Sequence, residues 1–212
     1  MTASVISLVE RRAAVADPVL NRVETYWDGL RSGRNAPSRA EVSPQGLSNV
    51  LSNCFILERI APGLARFRVF GRHVSDVMGA DLRGMPISAM FFAEDREVLE
   101  ETLTQVFDRP ATARLAVESP GGFGRERLAC KMALLPLRDD LGSMSRLLGA
   151  ITVTGEVGKT PRRLAITGKT LLDVPMGEAM KGVHIAPSVP KPRPIAASEE
   201  MGKIVRLPLS AE

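Results

Sequence analysis

All nine aromatic residues of this 212-residue chain lie between Tyr26 and Phe123, so the last 89 residues contain none. Prolines follow the opposite distribution, because seven of the fifteen fall within the 57 residues after Gly155. A segment without aromatic side chains and rich in proline buries too little apolar surface to offset the roughly 1–2 kcal/mol per residue that backbone ordering costs. We therefore expect one folded domain over residues 18–155, an N-terminal extension of residues 1–17 and a largely disordered tail of residues 156–212.

Two short apolar patches in the tail are separated by a proline-rich run. Residues 187–194 read PSVPKPRP, which predicts an extended, polyproline-like spacer. The patches at residues 164–174 and 204–209 are too small to form a core but large enough to dock as peptides. The candidate docking residues of the second patch are Ile204, Val205, Leu207 and Leu209. This patch could bind a partner or fold back over an edge of the chain's own sheet.

The charge distribution gives no indication of a nucleic-acid partner. The net charge of +4 divides into +1 for residues 1–155 and +3 for residues 156–212, and no block of five like charges occurs. A nucleic-acid binder usually shows a basic stripe with interleaved aromatic residues. No apolar run approaches the length of about 18 residues that a transmembrane helix needs, and the start of the chain lacks the apolar core of a secretory signal. With only two cysteines, we expect a cytoplasmic protein.

The apolar patterns predict three helical regions. Asp17 as N-cap, Pro18 at the first helical position and apolar residues at 3–4 spacing predict an N-terminal helix that ends near Gly33. A second short helix is expected at residues 44–51. A longer helix is expected at residues 94–109, with Val98 among the residues of its inner face.

Short apolar runs and period-two alternation predict five strands. Residues 54–60 and 66–70 form a hairpin around the turn residues at 62–63, and three further strands are expected at residues 112–118, 127–134 and 147–154. Short helical turns fill the glycine-punctuated stretch between the hairpin and the long helix. Five strands beside one helical layer give an α+β fold with a single buried sheet face.

Six short motifs in a fixed order resemble one protein family. They are YWDGLR at residues 26–31, PSR at 37–39, SP at 43–44, FRVFG at 67–71, VMG at 77–79 and DLRG at 81–84. Together with the order of the elements, this set resembles the PAS fold and, within it, the single-PAS family of alphaproteobacteria. Two features depart from the family pattern: residues 41–43 read EVS where an acidic residue usually precedes the proline, and the loop at residues 138–145 is extended.

The resemblance implies a specific sheet and the place of a pocket. It implies a five-stranded antiparallel sheet in the order second, first, fifth, fourth, third, with a layer of short helices on one face and an N-terminal helix. It also implies a cavity between sheet and helices, which holds haem, flavin or a metabolite in some PAS domains and nothing in many others. The side chains expected there are Phe67, Val69, Met78, Leu82, Met85, Phe91, Met132 and Ile151. They either line a ligand pocket or fill a dry core.

The residues themselves do not favour a bound cofactor. His73, the only histidine of the expected domain, lies beside Gly71 at the start of the helical layer and not within an apolar run, which argues against a haem ligand. Cys54 lies on an expected strand and not in the motif of a flavin-reactive cysteine, so Cys54 and Cys130 are interpreted as small buried apolar residues. The strand order that the resemblance implies places them two strand spacings apart, too far for a disulfide. We expect no cofactor and no metal, with haem or a small metabolite as the alternative.

The chain contains no complete catalytic motif. Residues 168–170 read GKT, as in a phosphate-binding loop, but Arg163 stands where the motif needs its first glycine. One histidine in the expected domain leaves no Ser–His–Asp set to place. An enzyme is therefore not expected.

The leading hypothesis is a non-enzymatic PAS-type regulator that acts through protein–protein interaction. The resemblance implies signalling proteins such as histidine kinases as partners, with recruitment to membrane-bound complexes, and it places a homodimer or partner contact on the first helix. That face comprises Val19, Val23, Tyr26, Trp27 and Leu30. The alternative is a small-molecule or haem sensor that uses the PAS pocket, and a weaker alternative is an enzyme on an α+β cone fold.

Overall fold

The first helix begins where the capping signal predicts it. The computed structural model describes residues 17–174, except residues 110 and 123, and its first element is α1, Pro18–Arg31. The Asp17 carboxylate accepts a hydrogen bond from the Leu20 backbone N–H at 3.1 Å, which satisfies one of the free donors at the helix start. The helix ends at Ser32, which has a left-handed φ of 46°.

The hairpin and the helical layer follow in the expected order. β1 spans Cys54–Ala61 and β2 spans Leu64–Phe70, and Gly63 supplies the positive φ of 69° that the turn between them requires. α2, Arg72–Met78, and α3, Arg96–Asp108, carry the helical layer, with single 3₁₀ turns at Ile87–Met90 and Ala93–Asp95.

Three helical details differ from the expectations. The helix expected at residues 44–51 is replaced by two separate 3₁₀ turns, Gln45–Leu47 and Leu51–Asn53. The long helix begins at Arg96 because the preceding residues form a 3₁₀ turn. Val98 lies at the margin of the apolar face of α3 and is 36% exposed, whereas Leu99 and Leu103 are buried.

One antiparallel sheet contains all the strands of the described residues. β3 is Ala111–Ser119, β4 is Leu128–Leu137, β5 is Arg146–Thr154 and β6 is Ala165–Asp173. The strand order is β2-β1-β5-β4-β3-β6. The first five strands therefore have the order that the resemblance implied, and the described sheet has one strand more than the five predicted.

The sixth strand shows that the predicted domain end near residue 155 is too early. β6 pairs with β3 from Ala111↔Asp173 to Glu118↔Ala165, and Leu164 beside it is fully buried. The sequence did not reveal this strand because its polar residues leave no clear alternation and its stability comes from pairing with β3. The remainder of the predicted tail, including the docking candidates at residues 204–209, lies outside the described residues.

Arg162 fixes the connection into β6. It is 1% exposed, and its side chain donates from Nε to the Val157 carbonyl at 2.6 Å and from Nη1 to the Glu126 carbonyl at 2.9 Å. Its backbone N–H donates to the carbonyl of Val77 in α2 at 2.9 Å. One buried side chain therefore ties the segment before β6 to the segment before β4, and its own backbone holds it against the helical layer.

The sheet buries apolar side chains on both faces, not on one as predicted. The inner cluster lies between the sheet and α2 and α3, and it includes Phe55, Leu99 and Met132. A second, outer cluster lies between the sheet and α1, and it includes Trp27 and Leu148. Within the described residues, no helix is long and apolar enough to cross a membrane.

Replacing Arg162 with methionine tests its role in holding β6. The variant leaves the carbonyls of Val157 and Glu126 without their donors in a buried site, so we expect the free energy of unfolding to fall by about 2–4 kcal/mol. Urea unfolding followed by circular dichroism measures the change. Arg163→Met is the matched control, since Arg163 is exposed, and equal losses in both variants would contradict the assignment.

Candidate functional site

The inner cluster brings together seven of the eight predicted pocket residues. Six of them are buried there, and Met85 is partly buried against the cluster. The six are Phe67, Met78, Leu82, Phe91, Met132 and Ile151. These side chains come from β2, β4, β5, α2 and the turns that follow it, so the sheet and the helical layer meet at this point.

Val69 is the exception, and a register shift explains it. Val69 is 53% exposed and pairs with Ile56 of β1, whereas Phe67 pairs with Leu57. The shift between these two pairs places one extra residue, Arg68, in β2. Arg68 and Val69 therefore both face away from the inner cluster, whereas strict alternation would have placed Val69 on the same face as Phe67. Counting by twos from Phe67 therefore assigned Val69 to the wrong face of the sheet.

Aromatic rings pack closely over the centre of the inner cluster. The Phe55 and Phe67 ring centroids are 5.4 Å apart in an edge-to-face arrangement, and those of Phe67 and Phe70 are 6.4 Å apart. The Phe55 ring lies against Gly149 of β5, where a Cβ atom would approach the Phe55 Cε2 atom to 2.1 Å. Sequence reasoning missed both Phe55 and Gly149, although a glycine inside an apolar strand can indicate such a close approach.

His73, the histidine weighed as a haem ligand, lies outside the inner cluster. His73 is in the first turn of α2, is only half-buried and is not a member of the inner cluster. Across the part of the chain that the structure describes, no three His, Cys, Asp or Glu side chains gather as they would around a metal ion.

The two cysteines lie on opposite faces of the sheet. Cys54 belongs to the outer cluster and its Sγ lies 3.2 Å from the Val50 carbonyl oxygen, whereas Cys130 belongs to the inner cluster. Burial raises the pKa of the Cys54 thiol to about 12. Burial also raises the pKa of Cys130 to about 11, against the opposing charge of Arg162. Both thiols are protonated at neutral pH and are free, which agrees with their interpretation as buried apolar residues.

The helix face predicted for dimer or partner contacts is covered by the domain itself. Val23 and Trp27 are buried in the outer cluster, and Val19, Tyr26 and Leu30 pack against it. The Trp27 Nε1 donates to the Pro136 carbonyl of β4 at 2.7 Å. The apolar stripe was recognised correctly, but its partner is the outer face of the chain's own sheet.

A buried ion pair holds α1 in place. Arg114 of β3 donates from Nε and Nη2 to the two carboxylate oxygens of Glu24 at 2.6 and 2.5 Å, and its Nη2 also reaches the Asn21 side chain at 2.7 Å. The hydrogen bond to Glu24 raises the pKa of Arg114, against a burial that lowers it. The bidentate geometry fixes the rotation of the helix on the sheet.

An arginine-rich surface remains uncovered at the β2 end of the sheet. We define the arginine face as Glu58, Ile60, Arg66, Arg68, Val69 and Arg146. Glu58 accepts a hydrogen bond from Arg66 at 2.8 Å, forms an ion pair with Arg146 at 2.8 Å, and lies 3.6 Å from Arg68. The Arg66 hydrogen bond is the main cause that lowers the pKa of Glu58; burial raises it, and the charges of Arg146 and Arg68 add to the lowering.

A shallow depression lies over the opposite half of the sheet. Its volume is about 340 Å³, and its lining includes Ala116, Glu118, Ala129, Lys131 and Thr154 of β3, β4 and β5. It is separate from the predicted pocket, since none of the eight predicted residues lines it.

The family is decided by a match over most of the described residues. The family model for the PAS domain matches residues 15–152. The chain belongs to the PAS domain family. Membership indicates a signalling or sensory role. The match ends before β6, so the sixth strand is an addition beyond the matched part of this PAS domain.

Similar solved structures share little sequence with this PAS domain. The LOV domain of the blue-light photoreceptor Aureochrome1 is 12% identical over 53% of this chain and 88% of that chain, with a TM-score of 0.37. The PAS domain of a Colwellia psychrerythraea protein is 8% identical over 52% of this chain and 95% of that chain, with a TM-score of 0.39. No curated protein matches the chain. Likenesses at this level carry no inference about function.

Replacing Gly149 with alanine tests whether the inner cluster is closely packed. The added Cβ meets the buried Phe55 ring, so we expect the free energy of unfolding to fall by about 1–3 kcal/mol. Gly168→Ala in β6 is the matched control, because its Cβ meets no atom closer than 3.5 Å. A Gly149→Ala variant as stable as the control would mean that the ring has free space to enter.

The cysteines predict a fall in stability at alkaline pH. Because the folded state holds the thiol protons more tightly than the unfolded state, the unfolded state loses them first as the pH rises. We expect the two thiols to reduce stability from about pH 9 upwards, towards the raised folded pKa values of about 11 and 12. Unfolding measured across this range should show a steeper decline for the wild type than for Cys54→Ala/Cys130→Ala, and parallel declines would contradict the burial argument.

Proposed function

We propose that this PAS domain is a non-enzymatic signalling regulator that works by binding other proteins. Within the family we place it among the single-PAS proteins of alphaproteobacteria, on the motifs at residues 26–31 and 81–84. Its partners are then signalling proteins such as histidine kinases, which it meets in the cytoplasm and at membrane-bound complexes. The family's signalling or sensory role supports the class of function, and the choice of protein partners rests on the packing of the inner cluster.

The close packing of the inner cluster carries this proposal. The Phe55, Phe67 and Phe70 rings meet edge to face, and Gly149 lies against Phe55 without space for a methyl group. A sensor that holds a cofactor needs a cavity with polar groups that orient the ligand. Because side chains fill the interior, we propose that the domain signals by binding proteins at its surface and not by binding a ligand inside.

The apolar face of α1, predicted for partner contacts, packs against the domain's own sheet, so partners need a different surface. A homodimer or partner contact through Val23 and Trp27 requires α1 to leave the sheet and break the Trp27 hydrogen bond and the Arg114–Glu24 ion pair. We therefore propose that partners bind other surfaces of the folded domain. The tail candidates Ile204, Val205, Leu207 and Leu209 remain a second, separate prediction.

Purification of the full chain from the cells that produce it tests the choice between the two modes. We expect native mass spectrometry to give the mass of the polypeptide alone and the absorption spectrum to show no band beyond that of the aromatic residues. We also expect affinity capture to recover a signalling protein, and the purified pair to form a complex when mixed.

The control separates a ligand from a contaminant. A bound molecule that survives dialysis in the wild type, and that is lost when Met132 in the inner cluster is replaced with phenylalanine, would overturn the proposal in favour of a small-molecule sensor. Captured proteins that fail to form a complex with the purified chain would also contradict it.

A further inference from the structure

We propose that the arginine face binds an acidic segment of a partner protein. This inference rests on the proposed function, because it names the surface and the chemistry through which the domain binds proteins. Three features of the face support it: unbalanced positive charge, two arginines that remain exposed, and exposed apolar side chains on either side of the arginines.

The first feature is that the single carboxylate of Glu58 forms ion pairs with three guanidinium groups. Glu58 Oε2 forms an ion pair with Arg66 at 2.8 Å and lies 3.6 Å from Arg68, while Glu58 Oε1 forms an ion pair with Arg146 at 2.8 Å. Asp139 adds a second negative charge close enough to Arg146 for that charge to help lower the pKa of Asp139, after the hydrogen bond from Ser145. Three positive charges against two negative charges leave a local excess.

The second feature is that the two arginines of β2 remain available. Their side chains are 41% exposed for Arg66 and 53% exposed for Arg68. Each guanidinium carries five N–H donors in a planar fork that fits a carboxylate. Arg68 contacts Glu58 only at 3.6 Å, so among the described residues no close acceptor occupies its fork.

The third feature is the exposed apolar side chains on either side of these charges. Ile60 of β1 is 51% exposed and Val69 of β2 is 53% exposed, and both are among the most exposed large apolar side chains of the described part. The register shift between the Ile56 and Leu57 pairs turns Arg68 and Val69 outward together. Mixed basic and apolar contacts suit a peptide segment in which carboxylates alternate with apolar side chains.

The charge of the arginine face also favours one kind of binding partner over the others. The apolar patch of the tail carries Lys203 and Arg206 and no acidic residue from 203 to 209, so this face repels it. A second copy bound symmetrically would set the same arginines opposite each other. A nucleic acid would leave Ile60 and Val69 without partners, and the face contains no aromatic side chain on which a base could stack. An acidic protein segment satisfies both the charges and the apolar side chains.

A labelled peptide tests the face directly on the full chain. The probe is a short fluorescein-labelled peptide in which glutamate alternates with valine, and fluorescence anisotropy measures its Kd. We expect binding that weakens as salt is added, and an increase in Kd of about tenfold or more for Arg66→Gln/Arg68→Gln. Val69→Ser should weaken binding by a smaller factor.

The matched control removes two exposed arginines from elsewhere. Arg72 has a side chain that is 90% exposed, and Arg83 is also exposed. We expect Arg72→Gln/Arg83→Gln to keep the wild-type Kd, and a peptide in which lysine replaces glutamate to show no binding. Circular dichroism melting checks that every variant is folded. Equal losses in the two double variants would overturn the proposal, because only net charge would then matter.

Three further outcomes show what the arginine face recognises. They also distinguish a failure of this proposal from a failure of the proposed function. A labelled single-stranded oligonucleotide that displaces the peptide and depends on Arg66 and Arg68 in the same way would overturn the protein partner. If Arg66→Gln/Arg68→Gln still forms the complex with a captured signalling protein at the wild-type Kd, the arginine face is excluded while the proposed function stands. A tightly bound small molecule in the purified chain would overturn the proposed function, whereas the peptide assay decides the face by itself.

Discussion

Strand β4 is buried on both faces from Met132 to Leu137, and the rest of the domain is arranged around this constraint. A strand without a solvent-exposed face needs an apolar cover on each side. α2 and α3 cover the inner side, where Met132 and Leu134 lie. α1 covers the outer side, where Leu135 and Leu137 lie. The Trp27 hydrogen bond to the Pro136 carbonyl joins the outer cover to this strand at a residue that itself has no N–H to offer the ladder.

This arrangement decides which surfaces are free to act. Apolar faces that would otherwise attract a partner, such as the stripe of α1, are already used in holding the sheet. What remains exposed on the outer face lies toward its two edges, near β2 on one side and near β3 and β6 on the other. The surface left free for contacts on this face is therefore at the margins of the sheet, where polar and charged side chains replace the apolar ones.

The elements whose signals are local could be predicted from the sequence, and those that depend on distant residues could not. The Asp17 cap and Pro18 located α1, and the turn at Gly63 located the hairpin. Val69 was assigned to the wrong face because a β-bulge leaves no mark in the alternation. β6 and the buried Arg162 were missed because their stability comes from β3 and from carbonyl groups far away in sequence. The apolar run at residues 132–137 did indicate that β4 is covered on both faces, because the alternation of apolar and polar residues stops there.

The sixth strand also separates the regions of the chain that could meet partners. β6 forms the edge opposite β2, so five strand spacings of about 4.8 Å, or roughly 24 Å, separate the arginine face from the strand that leads into the rest of the chain. Val174, just after β6, is buried in the outer cluster, which fixes that starting point against the folded domain. A partner that contacts both the arginine face and β6 must span this distance to gain from both contacts at once. Residues 203–209 are also basic and apolar, so a partner of either region would present acidic surface to it.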